Sequence, residues 1–342
     1  MKGLLRQLCM LNGTSGREER VRNFILQRLS GRADVTVDPL GNVLAFVKGK
    51  ERAKKTVMFT AHMDEVGFII TYITDDGYLK FSPVGGIDSK VIVGRTVTVG
   101  ESDIPGVIGI KAIHLTDKTD SGKVPEVGSM YIDIGAKDKA EAETKVQIGD
   151  AAYFISDYKQ LGEHKIKAKA IDDRFGCAVM LDMIEHGVDY DCWFCFLVQE
   201  EVGLRGAGPA AFRVQPDYAV VLEATTAADV AGVKPEDSVC IQGKGAVVSF
   251  MDRSTVYNRQ LYQHAFRLAA ENDIACQTKT TVAGGNDAGA IHKANSGVYT
   301  IALSLPCRYI HSATSVADAR DMKACRALAP LLLNAYANDT VQ

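Results

Sequence analysis

With 342 residues, 46% of them hydrophobic and 24% charged, the chain has an ordinary globular composition and the length for one large domain or two smaller ones. A formal net charge of -3, with no stretch interleaving Lys or Arg with aromatics, argues against a nucleic-acid partner. The apolar runs fall well short of the roughly 18 residues a membrane span needs, and the eight scattered cysteines and charged first residues fit neither a disulfide scaffold nor a secretory leader, so a cytoplasmic protein without a membrane partner is expected.

Helical spacing of Val21, Phe24, Ile25 and Leu29 predicts an N-terminal helix, followed by apolar strands at 43–47 and 57–60. The second strand runs straight into Ala61-His62-Met63-Asp64. From Phe68 to about Lys165 the texture changes to short Val-, Ile- and Tyr-rich segments broken by Gly, Asp and Pro, with a single candidate helix at 137–145. That change predicts a small all-β domain, residues 68–165, inserted into a larger domain made of residues 1–67 and 166–342. Helix and strand then alternate: a helix from about Asp172, strands at 193–198 and 218–222, a helix around 257–271, a strand at 298–303 and a closing helix at 323–336. The fold class expected is α/β, with a central mixed, largely parallel sheet flanked by helices. Cys192 and Cys195 form a C-x-x-C, but in a strand residues three apart face opposite ways, so no redox or metal role is expected of them.

Open α/β sheets bind ligands beyond the carboxyl ends of their strands. His62 follows the strand ending at Thr60, Glu200 and Glu201 follow Val198, Glu223 follows Leu222, and His311 comes eight residues after Leu303 across an irregular turn. Asp172, at a helix start, could be a simple N-cap. With so many acids and imidazoles converging, it can also offer one oxygen to each of two cations. Imidazole and carboxylate together suit zinc, cobalt or manganese, and a pair of such ions needs a bridging carboxylate with terminal ligands on each side. Asp172 would bridge, His62 and Glu223 would hold one ion, and Glu201 and His311 the other. Asp64 would accept the second ring N–H of His62 and fix its tautomer. Glu200 is left without a ligand role and is expected to act as general base on a metal-activated water. An H-E-x-x-H helix is absent.

Taken together, Ala61-His62-Met63-Asp64-Glu65-Val66-Gly67, Ala170-Ile171-Asp172-Asp173-Arg174-Phe175-Gly176-Cys177, Gln199-Glu200-Glu201-Val202-Gly203-Leu204-Arg205-Gly206, Gly284-Gly285-Asn286-Asp287-Ala288 and Arg308-Tyr309-Ile310-His311-Ser312 resemble the tetrahedral (TET), glutamyl-aminopeptidase-like metallo-aminopeptidases. The resemblance covers essentially the whole chain. It implies a zinc-peptidase-like fold, a PDZ-like inserted dimerisation domain, dimers assembling into a hollow tetrahedral dodecamer, and peptides as substrates. It supports the ligand roles above, with Asp172 rather than Asp173 as the bridge. Glu223 and Asn286 depart from the family pattern, where Asp and Thr are common.

The expected activity is metal-dependent removal of N-terminal residues from short peptides. The competing readings are a glycoside hydrolase, since paired acids also cleave sugars, and a non-catalytic assembly protein with a metal site. Gly284-Gly285-Asn286-Asp287 reads as a tight turn close to the substrate, and Gly243-Lys244-Gly245 with Asp252-Arg253 as lining of a specificity pocket. His114, His164, His186, His264 and His292 read as surface or packed residues.

Overall fold

The computed structural model describes residues 1–115 and 122–341; the stretch 116–121 of the expected insert lies outside the described residues. An 11-stranded mixed sheet forms the larger body, and its spatial order runs Asp34–Val37, Val43–Val47, Cys192–Leu197, Val57–His62, Tyr218–Thr226, Tyr299–Arg308, Ser315–Asp318, Lys165–Ala168, Lys159–Leu161. Two short strands, Ala246–Val248 and Cys276–Thr278, branch from it.

The strand Val57–His62 shows why the middle of this sheet is apolar throughout. Val57, Phe59 and Ala61 join a core shared with Phe175, Leu181 and Leu328, whereas Met58 points into a second core with Ala207, Ala211 and Ile291. Both faces are covered by helices, so every residue of the strand is buried, as expected of a parallel strand with layers on both sides. Cys192 and Cys195 fall into these opposite cores and are free thiols, as the strand geometry required.

The parallel part is narrower than the alternation of elements suggested. Parallel pairing links Cys192–Leu197, Val57–His62, Tyr218–Thr226 and Tyr299–Arg308, while the strands on both flanks are antiparallel. Two central strands run beyond their expected ends: Glu223 lies within Tyr218–Thr226, and the strand expected to stop at Leu303 continues to Arg308. Continued pairing between the two, out to Thr226 opposite Cys307, explains the extension.

Between Gly67 and Phe154 the chain forms a closed barrel in the circuit Gly67–Ile73, Leu79–Val84, Tyr131–Asp133, Ile104–Gly109, Thr96–Val99, Ala151–Phe154. Phe68 sits at its centre, edge-on to Phe81 at 5.0 Å and to Phe154 at 5.1 Å. The barrel has its own apolar core, and Ala313 from the larger body is part of it. By Lys159 the chain is already back on the large sheet. Among the described residues no helix is long and apolar enough to cross a membrane.

A buried clasp fixes the N-terminal segment against the start of the helix Ile171–His186. The Arg174 guanidinium is fully buried and donates to the carbonyls of Leu8 at 3.1 Å and Gly13 at 3.2 Å. Glu65 stands 3.6 Å from it and accepts from Lys169 at 2.9 Å. Replacing Arg174 with Met strands those acceptors in the interior and should cost about 3–5 kcal/mol. Equilibrium urea unfolding measures the loss; a change under about 1 kcal/mol, the size expected of an ordinary surface substitution or less, would contradict the clasp.

Candidate functional site

The carboxyl ends of the parallel strands deliver the polar residues to one place. His62 ends Val57–His62, Glu200 and Glu201 follow Cys192–Leu197, and Glu223 projects from within Tyr218–Thr226. His311 lies just past Tyr299–Arg308, and Asp172 is the second residue of Ile171–His186. Asp172 does not cap that helix: its backbone is non-helical and the helix start has no side-chain cap bond, while the neighbouring Asp173 accepts from Gly176 N–H at 2.9 Å. Five non-glycine residues in the loops carrying these groups have left-handed φ: Ala170 at 52°, Gln199 at 57°, Leu204 at 57°, Tyr309 at 59° and His311 at 57°. Strain of this kind is held where the surrounding structure over-determines it, typically at functional sites.

Asp172 stands between the two imidazoles. Its Oδ1 is 3.3 Å from His62 Nε2 and its Oδ2 is 3.5 Å from His311 Nε2. Glu223 Oε1 is 3.6 Å from His62 Nε2, Glu201 Oε2 is 3.4 Å from His311 Nε2, and Glu200 Oε2 is 4.0 Å from His62 Nε2. Three sets of side chains are close enough to hold a cation: His62 with Asp172 and Glu223; Asp172 with Glu201 and His311; and His62 with Glu200 and Glu201.

The electrostatics of this cluster ask for positive charge. Burial drives the carboxyls of Glu200 and Glu223 well above the usual carboxylate range and lifts Glu201 to about 7. Asp172 is buried too, but His311 and His62 hold it below that range. Burial disfavours the imidazolium of His62, yet Asp172, Asp64 and Glu223 raise its pKa well above the ordinary value. His311 rises to about 9 against the same burial, through Asp172 and Glu201. Four acids facing two imidazoles form a surplus of buried negative charge that divalent cations would neutralise. The donor set, imidazole nitrogen with carboxylate oxygen, fits zinc, cobalt or manganese.

Asp64 works on two fronts. The His62 Nδ1 meets the Asp64 backbone carbonyl at 3.0 Å, with the carboxylate Oδ1 at 3.4 Å. That carboxylate also accepts the backbone N–H of Glu200 at 3.0 Å, the N–H of Glu201 at 3.1 Å and the Ser15 hydroxyl at 2.7 Å. It therefore orients the imidazole and the acidic doublet together. Nothing in the sequence had singled out Ser15, nor Glu18, whose carboxylate accepts from Gln199 N–H at 3.2 Å and supports the same loop.

A cavity of about 290 Å³ opens beside the cluster, lined by Asp172, Glu200, Glu223, Thr225, Lys279 and the Gly284–Asn286 turn, among others. The turn stands where the sequence placed it. Gly243 and Gly245 do not line this cavity; their N–H groups are committed to the buried Asp321 at 2.7 Å each. Asp252 sits behind the wall, accepting from Tyr257 at 2.6 Å, and Tyr257 in turn accepts from Asn286 at 3.2 Å. Lys279 was not anticipated: no periodicity marks it, and its ammonium is spent on the Ala283 carbonyl at 2.7 Å. The remaining histidines stay outside the cluster: His114 is exposed, His164 is half-buried, His264 is buried in a helix, and His186 and His292 each bond a carbonyl one turn back.

Comparison with known proteins agrees with this geometry. The profile of the M42 glutamyl aminopeptidase family matches residues 41–328. A putative aminopeptidase of Acetivibrio thermocellus is 38% identical over 325 residues, covering 94% of this chain and 95% of that protein. The TET aminopeptidase of a marine-sediment Thaumarchaeota archaeon matches with a TM-score of 0.95 at 33% identity, covering 99% of this chain and 97% of its own. The TET1 peptidase of Pyrococcus horikoshii, which can assemble into a tetrahedron or a large octahedral shell, matches with a TM-score of 0.85 at 34% identity, covering 97% and 98% of the two chains. With its acids and imidazoles gathered at the strand ends and a family match over most of its length, the chain belongs to the M42 glutamyl aminopeptidases and is a metal-dependent aminopeptidase.

Proposed function

We propose that the chain removes N-terminal residues from short peptides at a centre of two divalent ions, zinc, cobalt or manganese. Asp172 would be shared by the two, His62 and Glu223 would complete one ligand set, and Glu201 and His311 the other. The observation that carries this reading is the division of the Asp172 carboxylate, one oxygen toward each imidazole. When bound, such ions supply Lewis-acid polarisation of the scissile carbonyl and stabilise the negative charge that develops there.

The chain's own groups do the rest. Glu200 lines the cavity, and one of its carboxylate oxygens takes the proton from the attacking water and returns it to the nitrogen of the leaving amine. Asp64 keeps Glu200 and Glu201 in register through their backbone N–H groups and holds His62 by its Nδ1 side. A cavity of about 290 Å³ beside the cluster supports a peptide end rather than a folded protein as substrate. A glycosidase would place its two carboxyls on either side of a sugar; here imidazoles stand among the acids, which favours the peptidase.

We assign the large sheet and its helices to the catalytic domain and the barrel, Gly67 to Phe154 within the expected 68–165, to a PDZ-like insert through which copies of this cytoplasmic protein pair, toward a tetrahedral dodecamer; the strands Lys159–Leu161 and Lys165–Ala168 go with the catalytic sheet. The barrel exposes Ile69, Tyr72, Val107 and Ile155, apolar side chains suited to such pairing.

Replacing Glu200 with Gln should leave the bound-ion content unchanged and lower kcat about 10²- to 10⁴-fold. Elemental analysis together with aminoacyl chromogenic substrates tests this, and full turnover by the variant would remove Glu200 as the base. EDTA treatment should abolish activity, with recovery on adding zinc, cobalt or manganese; an enzyme indifferent to chelation would rule out the metal centre. Light scattering should report a dodecamer, and a monomer at micromolar concentration would contradict the assembly.

A further inference from the structure

The two imidazoles of the cluster are held in different ways. His62 is buried, its side chain 2% exposed, and its Nδ1 is fixed by Asp64 two residues along the same segment. His311 is 36% exposed at the side chain and sits on a turn with left-handed φ. Its Nδ1 contacts the backbone carbonyl of Gly86 at 2.9 Å, 225 residues away in sequence and just beyond the barrel strand Leu79–Val84. A carbonyl can only accept, so Nδ1 donates its N–H to it, and Nε2 is the ring nitrogen that faces Asp172 and Glu201.

Two further contacts tie the same half of the cluster to the barrel. Gly85 has φ +87°, and a Cβ there would lie 2.8 Å from Val66 Cγ1 and 3.3 Å from Glu201 Cβ. A side chain at Gly85 would therefore press on Val66 and the Cβ of Glu201 and would be strained by the left-handed φ. Ala313, two residues after His311, is 4% exposed and packs in the apolar core of the barrel with residues such as Val66 and Phe68. The His311 turn is anchored in the barrel at both its imidazole and its Ala313 methyl.

We propose that the Gly85–Gly86 turn of the inserted barrel is a positioning element for the His311–Glu201 half of the metal centre. The barrel is then part of the catalytic site as well as a surface for contacts. Gly86 fixes the His311 tautomer and ring direction, and Gly85 provides the close approach that lets Glu201 and His311 face each other. The His62–Glu223 half, held by Asp64, does not depend on the barrel. This inference rests on the two-ion reading given above.

The test is cobalt binding to the full-length chain after chelator stripping, followed by calorimetry and by the absorption of bound cobalt. Wild type should take two ions. Gly85→Val should keep one at wild-type affinity and bind the other about 10- to 100-fold more weakly, the usual consequence of losing a partner that orients a ligand. His311→Ala should show the same pattern. Gly77→Ala is the control for general strain, since Gly77 also has left-handed φ (+81°) and a close backbone neighbour, at the opposite end of the same hairpin; it should keep both ions. If Gly85→Val does not fold, as judged by thermal unfolding of the stripped protein, Gly85→Ala takes its place. Two tightly bound ions in the Gly85 variant, or equal weakening of both, would overturn the inference. A wild-type chain that binds fewer than two ions overturns the two-ion reading itself, and this inference with it.

Discussion

Buried negative charge around Asp172 is the constraint to which the rest of the site answers. Asp172, Glu200, Glu201 and Glu223 crowd the buried imidazole of His62 and the half-exposed one of His311, and the four acids are themselves largely removed from water. Ionised carboxylates in such a place cost several kcal/mol each unless they are paired or coordinated. The directions in which these groups titrate express the same imbalance: Glu200 and Glu223 are pushed up by burial, and His62 and His311 are raised by the acids facing them. Divalent cations would resolve it, and in doing so would turn an unfavourable cluster into a reactive one.

The fold supplies the rigidity that such a cluster needs. Covering both faces of the parallel strands makes their carboxyl ends stiff, and the groups they carry inherit that stiffness. Left-handed residues at Ala170, Gln199, Tyr309 and His311 turn each loop sharply enough to bring its side chain inward. Behind them Arg174 and Glu65 lock the N-terminal segment, which returns Ser15 to the Asp64 carboxylate. Asp64 then joins the strand carrying His62 to the loop carrying Glu200 and Glu201. Removing any one of these supports would shift the acids and imidazoles of the cluster rather than merely loosen a surface.

Much of this was legible in the sequence because strand ends are legible. The apolar run before His62 and the run before Glu200 mark where a chain leaves a sheet, and the acids and imidazoles just past them form the cluster. The barrel announced itself by a change in texture from Phe68 to about Lys165; its closed circuit of short strands runs from Gly67 to Phe154, and the last part of that stretch, from Lys159, pairs on the large sheet. What stayed hidden was carried by backbone atoms or by long-range pairing. No pattern in the sequence tells that the carbonyl of Gly86 meets His311, or that the Asp64 carboxylate is taken up by the N–H groups of Glu200 and Glu201. Glu223 was expected past a strand end and lies inside the strand, because pairing with Tyr299–Arg308 continues further than hydrophobicity alone suggests. Gly243 and Gly245 looked like pocket residues but serve Asp321, an acid whose burial the sequence did not disclose.

Anomalous diffraction from crystals of the zinc- or cobalt-loaded protein tests the central claim most directly, because it locates the cations without reference to activity. Two peaks are expected to flank the Asp172 carboxylate, one beside His62 and Glu223 and the other beside Glu201 and His311, with Glu200 facing the space between them and bound to neither. A single peak, or one whose ligands include Glu200 in place of Glu201, would contradict it.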